Sequence, residues 1–527
     1  MIENKIIHKV FLLLMVVYLL TASFRIESGD GERMYQVACH MVMGQGFFVQ
    51  VNYDEAALLG PSGKGISTEQ LGGGDGYGLW GRDGRYYTWF GIGWSLFAAP
   101  FCLIGKVIAQ LIPYKPEGFI SQVSVMFLNP FLTACTGVLL YRLARRFYPI
   151  KVSLGIAFIY GIGTIAWYYS KSAASEPLVV FLLLLAINLI EEDKLILSGS
   201  AMGIMLLTKQ TSIFLVAPLV VWVFARQFPN KRWFQKIILL IIPLATGQLL
   251  VFVYNAYRFG NPFEYGYRGI AWDTPILTGL YGQLLSPGKG LLIFMPVLLL
   301  GILGCPAFWR QHRVWASLFL GLVFAFLIPH ALYNYWEGGG GWGPRLLLPI
   351  IPFILLPAGM IMQKSSSRAY RQLTVAFLVV ISVVIQLLGV SANWARYLQS
   401  VYERSSSPAE YYDRVIFNWA YSPIFGQFQS LREVISILRK HSSLDSLLEL
   451  VNQSIRTTPA GDWPIRAVNL LSMNLPDSWF FYLYFLGVPI IYLAIIAALL
   501  VLSGFATWKV LLSNLAFLDI PISKHKL

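Results

Sequence analysis

Charged side chains are scarce in this chain. Only 13% of its 527 residues are Asp, Glu, Lys or Arg, while 56% are hydrophobic, against the roughly 25% charged residues usual in soluble domains. That shortage excludes an ordinary soluble protein and points to a polytopic membrane protein. Cysteine is scarce too. Cys39, Cys102, Cys135 and Cys305 lie far apart with no CxxC pair, so their spacing indicates neither a zinc site nor a disulfide framework. The net charge of +14 would suit nucleic acid if the cations shared a domain. They sit instead in short groups between apolar runs, without a nucleic-acid-binding motif, and nucleic acid is excluded as a partner.

The apolar runs define an all-α polytopic membrane protein. The first, Val10 to Leu20, follows Lys5, His8 and Lys9; no clean small-x-small cleavage site follows it, so it is read as a retained span with a cytosolic N-terminus. Further spans are expected at 120–141, 152–168, 177–190, 195–208, 212–225, 237–256, 290–308, 314–332, 346–362, 373–393 and 479–502, about twelve in all. Several fall short of the roughly 20 residues a bilayer asks for.

Between the spans, the short loops form two alternating sets. One carries fourteen Lys and Arg, among them Arg142, Arg145, Arg146, Arg226 and Arg232; the other carries six, Lys171, Lys209, Arg258, Arg268, Lys289 and Arg345. The positive-inside rule puts the richer set in the cytosol. This requires that Thr88–Gly105, with Gly91, Gly93 and Pro100, does not cross but lies in the outer leaflet.

The resulting organisation is a membrane module over 1–393, with an extracytosolic loop at 25–87 and a juxtamembrane segment at 88–105. A small extracytosolic cap at 394–478, a last span at 479–502 and a cytosolic interfacial tail at 503–527 complete it. In the first loop, Tyr35 to Val42 is expected as a short helix and the remainder, with Gly60-Pro61-Ser62-Gly63 and Gly72-Gly73-Gly74, as loop. In the cap, Leu431 to Leu450 has helical periodicity.

None of the spans carries Asp, Glu, Lys or Arg. Pumps and ion-coupled transporters keep such groups at mid-membrane. Here the charges that do not set orientation gather at the outer helix ends, as an active site at the membrane surface would require. The carboxylates there are Asp30, Glu32, Glu176, Glu264, Asp273 and Glu337. Each has a bland reading: Asp30 and Glu32 as the polar end of a helix, Glu176 as complement to a helix dipole, Lys209 as a snorkelling lysine. The run Trp336-Glu337-Gly338-Gly339-Gly340-Gly341-Trp342-Gly343-Pro344-Arg345 makes a poor helix and a permissive loop for a ligand.

Four patches carry a resemblance. They are SGDGERMY (Ser28–Tyr35), the glycine-, proline- and aromatic-rich Tyr86–Gly105, YYSKSAASEP (Tyr168–Pro177), and a last group joining Phe259–Tyr267, Leu284–Leu300 and Gly340–Phe353. In order and placement the chain resembles the GT-C type glycosyltransferases, which take a sugar from a polyprenyl-phosphate donor, as protein O-mannosyltransferases and lipid A aminoarabinose transferases do. The likeness spans roughly residues 10 to 360. It implies an essential acid at Asp30 and a second acidic residue at Glu176. In one departure, Trp89 or Phe90 stands where many relatives have a phosphate-holding lysine, so phosphate contact falls to other cations.

Transfer from a polyprenyl phosphate needs a base for the acceptor hydroxyl and cations for the departing phosphate. It does not need the paired carboxylates of glycoside hydrolysis. Asp30 is the expected base, Glu32 its understudy and Glu176 the second acid. Lys209, Lys289 and Arg345 are the expected phosphate ligands, with Arg258 or Arg268 assisting. No cofactor is indicated. A divalent ion bridging Asp30 and Glu176 is compatible with this inventory, though no cluster calls for one. The expected partners are the lipid-linked donor, an extracytosolic acceptor and the bilayer of the cytoplasmic membrane. A lipid-linked glycan polymerase or ligase and a non-catalytic flippase are the alternatives.

The charge split makes a direct prediction. Single cysteines placed in the Asp30 loop, near Lys171 or near Gly340 are expected to react with an impermeant thiol reagent from outside, and those near Arg145 or Arg232 are not. External labelling near Arg145 would invert the arrangement.

Overall fold

In a computed structural model the chain is described over residues 2–51, 77–112, 117–228, 232–267, 271–365, 369–440, 449 and 463–516. Helices dominate, and the only sheet among the described residues is a short hairpin. By length and composition nine helices among the described residues could cross a membrane, fewer than the twelve expected, with Ile150–Gly163 and Leu195–Thr208 among shorter apolar ones. The Gly60 and Gly72 stretches, Arg268, residues 441–448 of the expected cap helix and the tail beyond 516 lie outside the described residues.

The polar contacts define two ends of the bundle. At the end holding the N-terminus, Arg145 pairs with Glu3 at 3.4 Å and Arg146 with Glu191 at 2.7 Å. Lys236 pairs there with Asp193 at 2.7 Å. These ion pairs join the loops of the cation-rich set. The glycine-rich and acidic loops meet at the opposite end, where the Asn129 amide donates to the carbonyl of Ala174 at 2.9 Å. Between the two ends a single apolar core runs through most of the helices.

The helix Gly93–Gln110 is itself long and apolar enough to cross. Gly93 lies flush on Thr208, so closely that a Cβ would sit 2.8 Å from the Thr208 Cα. At its far end Lys106 pairs with Glu117 at 3.8 Å. Glu117 begins the helix Glu117–Val125, which packs along it: a Cβ on Gly105 would lie 2.5 Å from the Ser121 Cα.

The first loop departs from expectation. Its helix begins at Gly29 rather than Tyr35 and runs to Val42, with Ser28 as N-cap accepting from the Gly31 N–H at 3.2 Å. A hairpin pairs Gly78–Trp80 with Tyr86–Thr88. A disulfide joins Cys39 to Cys102, contrary to the reading from spacing, with 5.7 Å between the Cα atoms. It ties the Gly29–Val42 helix to the Gly93–Gln110 helix across 63 positions of sequence.

In the cap, the helices Trp394–Glu403 and Pro408–Phe417 bury Trp336 in a small cluster with Val401, Val415 and Ile416, and a third helix, Pro423–Lys440, follows. The end of the chain also differs from expectation. Trp479–Phe485 is a separate short helix, and Ile490–Ala516 continues unbroken beyond 502. Its apolar sequence simply does not stop there, and the Lys9 ammonium donates to the Val510 carbonyl at 3.3 Å alongside the first helix.

The disulfide yields a test. Alkylation without reduction should leave Cys39 and Cys102 unmodified in an intact-mass measurement, and Cys39→Ser is expected to lower stability by about 2–4 kcal/mol. Cys135 and Cys305 are free and account for two adducts, so three or four alkylated thiols in the unreduced protein would count against the bond.

Candidate active site

The acidic end of the bundle is organised by breaks in the backbone. Asp30 lies in the first turn of the Gly29–Val42 helix, where the helix dipole favours a carboxylate. Glu176 opens the helix Glu176–Glu191, with Pro177 right behind it. Lys209 falls where the helix Leu195–Thr208 ends and the backbone turns extended, at φ −153° and ψ 118°. Arg345 follows Pro344 and starts a stretch of 3-10 helix, Arg345–Ile350.

These four side chains form one line of alternating charge. Arg345 Nη2 is 2.8 Å from Asp30 Oδ2, and Arg345 Nε is 3.5 Å from Glu176 Oε1. The same Glu176 oxygen lies 2.7 Å from Lys209 Nζ. Glu176 is buried, with its side chain 3% exposed, whereas those of Asp30, Arg345 and Lys209 keep 21%, 17% and 18%. The line sums to zero charge, which makes burial of its inner carboxylate affordable. Its outer members remain open to a ligand.

Aromatic groups wall the line. The Tyr169 hydroxyl donates to the Trp342 carbonyl at 3.0 Å, and Trp89 stacks on Tyr267 with centroids 5.0 Å apart. Burial, reinforced by the Asp30 charge, pushes the Tyr267 phenol above its ordinary range, so it stays protonated. His330, the only Asp, Glu, Lys, Arg or His inside the expected spans, is buried and bonded to the Phe326 carbonyl.

Four of the expected site residues thus converge; Glu32, Arg258 and Lys289 do not, and Arg268 lies outside the described residues. Glu32 accepts from the Gln36 amide at 3.1 Å, one turn along its own helix. Arg258 is buried and bonded to the carbonyls of Thr88 and Phe90, holding the hairpin rather than facing the line. Lys289 is buried with its ammonium on the Gly339 and Gly341 carbonyls. The Arg345 guanidinium stands between Asp30 and Glu176, where a bridging cation was the alternative. Among the described residues no group of three His, Cys, Asp or Glu could hold a metal.

Residues 109–257 match the family described as dolichyl-phosphate-mannose-protein mannosyltransferase. The resemblance to GT-C glycosyltransferases holds. Of the charged line, Glu176 and Lys209 lie inside the matched range and Asp30 and Arg345 outside it. Among solved structures, ArnT from Cupriavidus metallidurans in the apo state aligns with a TM-score of 0.42 and 12% identity, over 95% of this chain and 76% of that one. The same protein bound to undecaprenyl phosphate gives 0.39 and 12%, over 85% and 79%. The archaeal oligosaccharyltransferase AglB from Archaeoglobus fulgidus, in complex with an inhibitory peptide and a dolichol-phosphate, gives 0.38 and 12%, over 86% and 59%. Likeness at these scores says nothing about ligand or reaction. None of the curated protein sequences matches the chain.

A second charged group joins Arg25, Lys171 and Asp477, whose wide separation along the chain hid it from a reading of motifs. Asp477 accepts from Arg25 Nε at 2.9 Å and from the Lys171 ammonium at 2.7 Å. Tyr482 donates to the same carboxylate. Burial would raise the Asp477 carboxyl, but Arg25 and Lys171 outweigh it and hold the group well below the usual carboxylate range. A carboxyl depressed in the folded state contributes stability above its unfolded pKa and loses it only as pH falls towards the folded value. Asp477→Asn strands two buried cations and is expected to cost about 3–5 kcal/mol. Thermal unfolding should show that deficit equally at pH 5 and pH 8, with activity per folded molecule close to that of the parent.

Proposed function

We propose that the chain is an integral-membrane glycosyltransferase that moves a sugar from a polyprenyl-phosphate donor to an extracytosolic acceptor by one inverting displacement. The observation that carries this reading is the line Asp30–Arg345–Glu176–Lys209 at the end of the bundle away from the cation-rich loops. By the positive-inside rule that end faces out of the cytosol, with the N-terminus inside.

In the proposed step the acceptor oxygen attacks the anomeric carbon and its proton passes to Asp30. The bond from that carbon to the phosphate oxygen breaks, and the electron pair leaves with the polyprenyl phosphate. Arg345 and Lys209 hold the departing anion; neither acts as a general acid, since a phosphate leaves without protonation. Glu176 keeps both cations in place. One attack opposite the leaving group inverts the anomeric centre.

The test is to incubate purified protein with radiolabelled polyprenyl-phosphate sugars and a membrane extract, asking which label moves. Asp30→Asn keeps the shape of the residue but takes no proton, so donor binding should survive while transfer per folded molecule falls about 10²- to 10⁴-fold. Glu32→Gln should do far less. Lys209→Ala should weaken use of limiting donor about ten- to a hundredfold. If Asp30 served only the helix end, Asn would cost about 0.3–1 kcal/mol of stability with normal turnover. Full transfer by Asp30→Asn would sink the mechanism.

A further inference from the structure

The strongest unexplained feature is a lysine that the proposed chemistry does not use. Lys289 lies in Ser286-Pro287-Gly288-Lys289-Gly290, between the helices Ile276–Leu285 and Leu291–Phe294, and is 3% exposed. Its ammonium donates to the Gly339 carbonyl at 2.7 Å and also to that of Gly341. Four glycines in a row, 338–341, cannot define their own path, because each has more backbone freedom than any other residue. One buried cation with two carbonyl ligands gives that run a fixed curvature. Four residues beyond Gly341 stands Arg345, the hinge of the charged line.

The lysine is itself fixed from the other side. The Gly288 N–H donates to the Ile416 carbonyl at 3.1 Å, and the Ser422 hydroxyl to the Pro287 carbonyl at 2.9 Å. A Cβ on Gly288 would lie 2.2 Å from the Val415 carbonyl oxygen, so the cap backbone presses directly on this turn. The Lys289 N–H donates to Ser286 Oγ at 3.0 Å, which closes the turn. A continuous polar path therefore runs from the cap, through Lys289 and the glycine run, to Arg345.

We infer that Lys289 is a positioning residue: its ammonium holds the glycine run in the one curvature that sets Arg345 between Asp30 and Glu176, and the cap holds Lys289. The inference rests on the site proposed above. The charged groups acting on Lys289 are Glu337, on the near side of the glycine run, and Arg345. The cap residues that meet the turn, Val415, Ile416 and Ser422, do not titrate. Burial draws the Lys289 ammonium down to about 7, with Glu337 opposing and Arg345 adding to the fall. Below that value the ammonium is intact; above it, charge and one N–H are lost and the grip on the carbonyls loosens. Turnover should then carry an alkaline limb near neutrality. Replacing Glu337 by Gln removes the charge that supports the ammonium, so the limb moves to lower pH.

The experiment compares purified Lys289→Met, Glu337→Gln, Arg345→Gln and parent protein in the labelled-sugar assay, per folded molecule, across pH. Misplacing a catalytic group by about 1 Å costs about a hundredfold, so Lys289→Met should lose about that in kcat, with KM for the donor nearly unchanged and the alkaline limb gone. Glu337→Gln should retain activity at acid pH with its limb shifted downward. A merely structural lysine predicts a lower Tm with parental kcat per folded molecule and an unmoved limb, and either result overturns the inference. Should Lys289→Met not fold, the Glu337→Gln limb decides alone. Arg345→Gln separates the two layers. If it is inactive while Lys289→Met and Glu337→Gln behave as parent, only the positioning role falls; if it too is fully active, the site reading falls with it.

Discussion

The Arg345 guanidinium neutralises two carboxylates that arrive from different parts of the chain, and the acidic end of the bundle is built around that fact. Glu176 is buried at the head of a helix, and an isolated buried carboxylate would take a proton rather than remain charged. With Arg345 on one side and Lys209 on the other it remains ionised. Asp30, at the outer end of the same line, is left with a single partner and the greatest exposure. A line of this kind needs its four members aligned closely, because the attraction that offsets desolvation survives only at contact distance. The remaining architecture of this end consists of devices for alignment.

Those devices differ in kind. The disulfide and the Ser95 hydroxyl, which donates to the Met34 carbonyl at 2.8 Å, fasten the Asp30 helix to the Gly93–Gln110 helix. Arg258 fastens the hairpin through two backbone carbonyls. Asp477 gathers Arg25, just beyond the first span, and Lys171, in the loop before Glu176, onto the chain leaving the cap. Polar groups are thus concentrated in holding backbone at the site end, while the bundle below is held chiefly by apolar packing, with a few buried bonds to backbone such as those from Tyr18 to the Gly161 carbonyl and from Gln386 to the Phe294 carbonyl. The division follows from the solvent: within hydrocarbon a hydrogen-bonding side chain is a liability, and at the surface it can fix a loop that has no core of its own.

This division also explains what could be read from sequence. The helical, membrane-spanning character was legible, because hydropathy reports it directly; the number of spans was not, since about twelve were expected and nine helices among the described residues are long and apolar enough, runs such as Ile150–Gly163 falling short. Asp30, Glu176, Lys209 and Arg345 were legible as a set, since an outer-face charge beside an apolar helix end is conspicuous. Their pairing was not, and Lys289 shows why. A lysine between two glycines looks the same whether its ammonium faces a ligand or clamps a carbonyl, and only the path of residues 338–341, fifty positions away, distinguishes the cases. The helix start at Gly29 was obscured by two glycines whose low propensity outweighed the Ser28 cap and the acidic first turn. The Cys39–Cys102 bond escaped because 63 positions separate the partners without a spacing motif.

The alternation of charge has a further consequence for the proposed reaction. A sugar phosphodiester carries one negative charge, and the phosphate that departs from it carries more. Over the same step Asp30 takes a proton and loses its charge. Negative charge therefore moves from one side of Arg345 to the other as the glycosidic bond breaks. Arg345 cannot give up its own proton, so it is left to follow the charge, from Asp30 towards the leaving oxygen. Because the cation is present and oriented beforehand, its electrostatic work needs little reorganisation during the step. A freely moving lysine could serve as a counter-ion, but a guanidinium held by Glu176 through a second nitrogen keeps its orientation while one partner is exchanged for another. The buried Glu176 is then neither base nor ligand: it lets Arg345 change partners without leaving its place.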